Sequence, residues 1–397
     1  MMPRVQIFLI TFELLLMAGT LRAAPPPRAR PAPAVKPDST LLRHRQRVMA
    51  ARPLAMYYAI EDARALQSAE KFADHITVLG PQSFTVDAEG IVHGAVPMPL
   101  TELAQRKNLP IMPLLVNAGF DRAIASAILR NPRLQERTAS YLAYLAQREN
   151  FVGWQLDLEQ IDPADKARYT AFVRRVAAKL HRDGRLLSLA VTPRFSEAYP
   201  DARAAQFRTG EWGAPFDFPA LGRSVDFMVI MTYDHHTSGT APGPVAGYDW
   251  ICAALDYAAS RVPPRKLVMA IPFYGREWVT TPHGVMSRSL DYESLRLLLA
   301  RVNAKILWHD RWRTPWTQFR DEPDTHTVWF DDRRSYREKL NLLRKYRLRG
   351  FAAWRLGIED PEFWNVAAEF SKVAPAPQRA AAPSRTTYTR RTATRSR

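Results

Sequence analysis

Apolar runs of strand length recur along residues 53–357. They are PLAMYYAI from Pro53, HITVLGPQSFTV from His75, LPIMPLLVN from Leu109, GWQLDLE from Gly153, LLSLAVTP from Leu186, DFMVIMTYD from Asp226, KLVMAIPFYG from Lys266 and GFAAWRLG from Gly350. Between most of them the apolar residues recur with helical spacing. PRLQERTASYLAYLAQREN before the fourth run and ADKARYTAFVRRVAAKLHRDG after it are examples. A strand buried on both faces has no polar side to alternate with, so such runs, separated by helices, imply a parallel sheet covered by helices. Eight units in 397 residues predict an α/β fold, a (β/α)8 TIM barrel.

Two stretches depart from a minimal barrel. TVDAEGIVHG after the second run reads as a hairpin turning at Glu89-Gly90. Residues 276–330, between the seventh and eighth runs, form a long insertion holding Trp278, Trp308, Trp312, Trp316 and Trp329. At a barrel mouth it would wall a cleft, although most of these tryptophans are expected to fill the insertion's own core.

The chain ends differ from the middle. Residues 1–23 have a basic start, an apolar run and alanines at 23 and 24, the layout of an export signal. An uncleaved anchor is the rival, and Glu13 interrupting the run counts against a stable span. Residues 24–52 read as a Pro-rich basic linker and residues 373–397 as a disordered basic tail. That leaves 53–372 as one folded domain. Basic residues outnumber acidic ones by six in the linker, by six in the tail and by one in the signal, so only +4 of the net +17 falls within 53–372. Charge concentrated in the ends argues against a specific nucleic-acid-binding face. It suits loose contact with an anionic envelope, or simply solubilising tails. Cys252 is the single cysteine, so an intrachain disulfide is excluded, and it is expected in the core. No Cys/His spacing suggests a metal site.

The chemistry gathers at the ends of the runs. In FVGWQLDLEQI (151–161), strand alternation turns Gln155, Asp157 and Glu159 to one side. Two carboxylates and an amide on one buried face are costly unless paired or chemically used. The sixth run ends with Tyr233 and Asp234, the seventh with Phe273, Tyr274 and Arg276, and the eighth carries Trp354 and Arg355. In a (β/α)8 barrel these ends form the active-site face. Carboxylates supply proton transfer and aromatic rings stack on pyranose faces, so the set suits a sugar.

These motifs resemble family 18 glycoside hydrolases over roughly residues 53–370. GWQLDLE is similar to that family's D-G-x-D-x-D-x-E strand, MTYD (231–234) to its M-x-Y-D, and Trp354 stands at the place of its tryptophan beneath the sugar. MTYDHHTSGTAPGPVA, IPFYGREW and WRLGIEDPEFW resemble most the branch of bacterial spore-germination and cortex-lytic N-acetylglucosaminidases. Val152 and Gln155 depart from the pattern, standing where two aspartates would be. Gln155 still hydrogen-bonds but does not ionise.

The resemblance implies retaining, substrate-assisted hydrolysis of a β-1,4-linked N-acetylglucosamine polymer, without a metal or nucleotide cofactor. Glu159 would be the acid and then the base. Asp157 would orient the 2-acetamido group and raise the pKa of Glu159. Tyr233 would donate to the acetamido oxygen. Asp234 and Gln155 would bind near the sugar, with Tyr274 and Arg276 lining the cleft and Trp354 flooring it. Arg276 and Arg355 would grip a substrate carboxylate or pair with local acids. His235 and His236 are expected to be exposed in a loop shaped by Gly239, Pro242, Gly243 and Pro244. The expected protein is an exported monomer acting on chitin-type glycan or, preferably, peptidoglycan. Its rivals are a silent glycan-binding barrel, which the presence of Glu159 argues against, and a transglycosylase or envelope scaffold.

Overall fold

Each of the eight apolar runs contains a strand in the computed structural model, which describes residues 39–51, 53–196 and 213–371. The parallel strands are β1 (Leu54–Ala59), β2 (Val78–Val86), β4 (Leu114–Asn117), β5 (Gly153–Asp157), β6 (Leu186–Val191), β7 (Phe227–Ile230), β8 (Leu267–Pro272) and β14 (Gly350–Trp354). They run round in chain order, and β1 pairs with both β2 and β14, which closes the barrel. β3 (Val92–Gly94) pairs antiparallel with β2, so the expected hairpin is present.

The barrel is wrapped by α2 (Ala63–Lys71), α3 (Met98–Arg106), α4 (Arg122–Arg130), α5 (Pro132–Arg148), α6 (Lys166–Arg182), α7 (Phe218–Ser224), α8 (Tyr248–Arg261), α10 (Arg333–Tyr346) and α11 (Glu362–Ser371). Local sequence starts many of them. Asp62, Asp121, Asn131 and Asp217 each accept a backbone N–H of the first turn of α2, α4, α5 and α7. Asp332 and Ser335 form a reciprocal capping box on α10.

Alternation sorts the strand side chains into two cores. Trp154, Leu156 and Leu158 point outward into the layer shared with the helices. Leu54, Met56, Tyr58, Val78, Leu114, Phe227, Val229, Val268, Ala270 and Ala352 fill the barrel itself. β5 starts on glycine because β6 lies too close for a side chain. A Cβ at Gly153 would sit 2.0 Å from the Leu186 carbonyl oxygen.

Part of the expected linker is instead a helix, α1 (Ser39–Ala51). Leu42 and Met49 join the inner barrel core. Arg45 donates to the Asn150 carbonyl at 3.2 Å and Gln46 to the Gly184 carbonyl at 2.6 Å. Residues 42, 45, 46 and 49 share one helical face, and that face closes the barrel end where the strands begin. The expected signal (1–23), the Pro-rich start of the linker and the tail (373–397) lie outside the described residues.

The insertion is a five-stranded antiparallel sheet of β9 (Gly275–Thr281), β10 (Gly284–Leu290), β11 (Leu307–His309), β12 (Thr314–Asp321) and β13 (Asp324–Trp329), with α9 (Tyr292–Val302). Its apolar core is Leu290, Leu295, Leu298, Val328 and Phe330. Cross-strand register puts Arg276, Trp278, Trp316 and Trp329 on the opposite face. The tryptophans therefore do not fill the insertion's aliphatic core, contrary to expectation. Trp278 is buried and donates to the Thr240 carbonyl at 3.1 Å, which seats the loop after β7 on this face. Trp316 stacks on Trp329 at 5.3 Å, and Trp312 meets Trp329 edge-on at 5.2 Å. Arg334 covers Trp308 at 3.7 Å.

Candidate active site

Gln155 and Asp157 sit on consecutive inward positions of β5 and are buried. The Gln155 amide is bonded to the Tyr58 hydroxyl: Nε2 donates at 2.9 Å and Oε1 accepts at 3.2 Å. Asp157 keeps one buried oxygen, Oδ1, with no hydrogen-bond partner among the described residues. Burial and the charge of Glu159 push its carboxyl well above the usual carboxylate range.

Glu159 lies two residues beyond the end of β5 and is only partly buried. Its carboxyl is pushed up to about 7, first by burial and then by the charge of Asp234. Asp234 is a cause the sequence did not suggest; Asp157 and Glu159 also act on each other, since the charge of Glu159 raises Asp157 and that interaction is mutual. For Glu159, burial is the larger cause, and the charge of Asp234, just past the end of β7, adds to it.

Asp234 has a φ of +59°, a left-handed conformation that aspartate tolerates better than most residues. It accepts from the Tyr274 hydroxyl at 2.7 Å, and Arg276 lies 3.5 Å from the same oxygen. Tyr233 packs beside Tyr274, with ring centroids 6.5 Å apart. Burial raises the Tyr233 hydroxyl well above its ordinary value, with the charges of Asp157 and Glu159 adding to the effect, so it stays a hydrogen-bond donor. Trp354, at the end of β14, lies 5.6 Å from the Tyr58 ring, and the Trp354–Arg355 peptide is cis. The fold thus gathers Gln155, Asp157, Glu159, Tyr233, Asp234, Tyr274, Arg276 and Trp354 at one mouth.

Other residues fall elsewhere. Arg355 donates to Asp62 at 3.2 Å, so of its two readings the local ion pair holds. His235 is buried rather than exposed, because it stacks flat on Trp250 at 5.0 Å. Burial lowers its imidazole to about 2, with the neighbouring charges of His236 and Arg311 adding to this, so it is neutral at physiological pH. His236 is partly buried and donates through Nδ1 to the Ala241 carbonyl at 3.0 Å. Cys252 is half-buried on α8 against the outer core.

Two neighbours of the site went unnoticed in the sequence. Tyr58, in β1, turns inward to Gln155. Asn117 ends β4 and touches the Glu159 backbone. Both carried a signal: a polar atom at the C-terminal end of an apolar run, where barrel active sites gather.

A closed parallel barrel with two neighbouring carboxyls, tyrosines and a tryptophan gathered at its C-terminal mouth has the architecture of a (β/α)8 glycoside hydrolase. The chain belongs to glycosyl hydrolases family 18, whose sequence model matches residues 84–359. It is 29% identical over 307 residues to the cortical fragment-lytic enzyme of Bacillus subtilis, covering 75% of this chain and 68% of that one. Among solved structures it is similar to the spore cortex-lytic enzyme SleL of Bacillus megaterium, with a TM-score of 0.73, 26% identity, and 82% of this chain and 76% of that one covered. It is also similar to a chitinase from Chromobacterium violaceum, with a TM-score of 0.73, 26% identity, and 81% and 99% covered.

Proposed function

We propose that this glycoside hydrolase cleaves β-1,4-linked N-acetylglucosamine glycan with retention, using the substrate's own acetamido oxygen as nucleophile. The observation that carries the reading is the buried, unpartnered Oδ1 of Asp157 beside a Glu159 whose carboxyl is held near 7. An unsatisfied buried acceptor costs about 1–3 kcal/mol, and an acetamido N–H is a donor of the right kind to relieve it. Two adjacent buried carboxyls ionise in turn, so near neutral pH the pair keeps one proton. On Glu159 that proton passes to the glycosidic oxygen as the C1–O bond breaks. The acetamido oxygen closes on C1, and ionised Asp157 accepts the N–H of the oxazolinium and balances its positive charge. Tyr233 donates to the acetamido oxygen and orients it. Glu159, now ionised, takes a proton from water, which opens the ring from the face the leaving group left. Trp354 floors the sugar, while Asp234, Tyr274 and Arg276 bind along the cleft.

Cell-wall peptidoglycan is the preferred polymer, supported by the cortex-lytic relatives and by basic chain ends suited to an anionic envelope. Chitin-type oligomers are the second reading, favoured by the equally similar chitinase structure. Either substrate places the enzyme outside the cytoplasm, in keeping with residues 1–23 as an export signal. The test is hydrolysis of a short N-acetylglucosamine oligomer and of purified peptidoglycan by wild type and Glu159→Gln, with products sized by mass spectrometry. Cleavage by wild type alone supports the reading, and the product masses choose the polymer. Binding without cleavage by wild type would replace it with a glycan-binding barrel.

A further inference from the structure

Glu159 is placed by something other than its own strand. The β4–β5 ladder ends at the Val116–Asp157 pair, and Glu159 lies two residues past that point. Directly after it, Gln160 turns the chain sharply with a φ of +56°. For a non-glycine residue this conformation persists only where the surroundings hold it.

Asn117 supplies the hold. Its Oδ1 accepts from the Glu159 backbone N–H at 3.0 Å. Its Nδ2 donates to the Glu159 carbonyl at 3.2 Å and to the Asp121 carbonyl at 2.8 Å. One residue whose N–H and C=O are both bonded to one partner is the pattern of a hydrogen-bonded pair in an antiparallel ladder. The Asn117 amide therefore stands in for a strand neighbour that the barrel cannot provide at its open mouth. Its backbone also starts the short 3-10 turn Ala118–Phe120, where an asparagine would ordinarily cap with its side chain. No such capping bond forms here. The side chain is fully buried and its donor and acceptor are committed to Glu159 and to the loop that starts α4.

We propose that Asn117 is a positioning residue: its amide fixes the Glu159 backbone so that the carboxyl stays between Asp157 and the charge of Asp234. The proposal rests on Glu159 being the general acid. Asn117 has no assigned contact with substrate, so its loss should act on kcat and on the Glu159 pKa rather than on KM.

The experiment compares wild type, Glu159→Gln, Asn117→Ala and Asn117→Asp on an N-acetylglucosamine oligomer. It measures kcat and KM across pH, with thermal unfolding of each chain. Asn117→Ala is expected to fold, to lose about 100-fold in kcat and to keep its KM within about twofold, because a displacement of about an ångström at a reacting group costs that much. Its alkaline limb moves to lower pH as a freed Glu159 gains solvent. Asn117→Asp keeps the acceptor for the Glu159 N–H but adds a negative charge, so its limb moves to higher pH. If Glu159→Gln is inactive while a folded Asn117→Ala keeps wild-type kcat and limb, the positioning role is overturned and the acid assignment stands. If Glu159→Gln still turns over, the acid assignment itself falls. Should the alanine variant not fold, the isosteric Asp variant decides, and wild-type kcat and limb overturn the proposal. If neither folds, Asn117 serves stability alone, which also overturns it.

Discussion

Glu159→Gln should abolish hydrolysis and, above neutral pH, make the protein more stable than wild type. The Glu159 carboxyl rises from the ordinary 4.5 to about 7 on folding, through burial and the charge of Asp234. Between those values the folded protein holds a proton that the unfolded chain has released. Stability therefore falls as pH rises through that window. Below it, wild type and variant both carry a neutral side chain. Above it, wild type bears the full cost of an ionised, poorly solvated carboxylate. The rise from 4.5 to about 7, at about 1.4 kcal/mol per pH unit, comes to about 3 kcal/mol. Partial exposure makes that an upper bound. Glutamine keeps the shape and does not ionise, so the variant escapes this cost. Urea unfolding at about pH 4 and about pH 8 should show equal stabilities at the lower value and a gain of about 1–3 kcal/mol for the variant at the higher. A glutamine variant no more stable than wild type at the higher pH would mean that Glu159 does not carry a raised pKa. The acid role would then lose its physical basis.

Asp234→Asn keeps a residue that tolerates the left-handed backbone but removes the charge facing Glu159. The alkaline limb of kcat/KM should move to lower pH by no more than about one pH unit, since burial is the larger cause and remains. An unmoved limb would remove Asp234 from the tuning of Glu159. Gln155→Glu places a second ionisable carboxyl beside Asp157, so the pair should hold its proton to higher pH and the limb should move up. A limb moving down, or not at all, would show that Gln155 lies electrically outside the pair. Met49→Ala should cost about 2 kcal/mol in urea unfolding while kcat stays at the wild-type value, because Met49 is buried at the barrel end away from the site. Unchanged stability would mean that α1 does not close the barrel.

The barrel could be read from the chain because its strands are buried on both faces, which leaves long apolar runs with few rival interpretations. Most of the site could be read because barrel chemistry collects where those runs end. What failed depends on contacts distant in sequence. His235 looked like an exposed loop residue, and only its stacking on Trp250 buries it. Arg355 had an open choice of partner until the fold brought Asp62 to it across 293 positions. The helical face of residues 42–49 was hidden beneath the prolines that precede it. The insertion's tryptophans were countable, but the sheet face they occupy follows from strand register, which composition does not supply.

The departure at Gln155 ties these observations together. A buried carboxyl at that position would give Asp157 a second ionisable neighbour. The amide is instead bonded to Tyr58, and Glu159 is the neighbouring charge that raises Asp157. The proton of the site is then shared between two groups, one fixed in a strand and one beyond its end. Asp157 is held by the β-ladder, so its position is set by the barrel. Glu159 has no ladder, and its separation from Asp157 depends on side-chain contacts at the mouth. A pair that shares one proton changes its titration steeply with that separation, because the interaction varies inversely with distance and the surroundings are poorly solvated. A site with an amide at Gln155 therefore places more of its pH behaviour on whatever fixes the Glu159 backbone. Among the described residues, the side chain bonded to both the N–H and the carbonyl of Glu159 is that of Asn117.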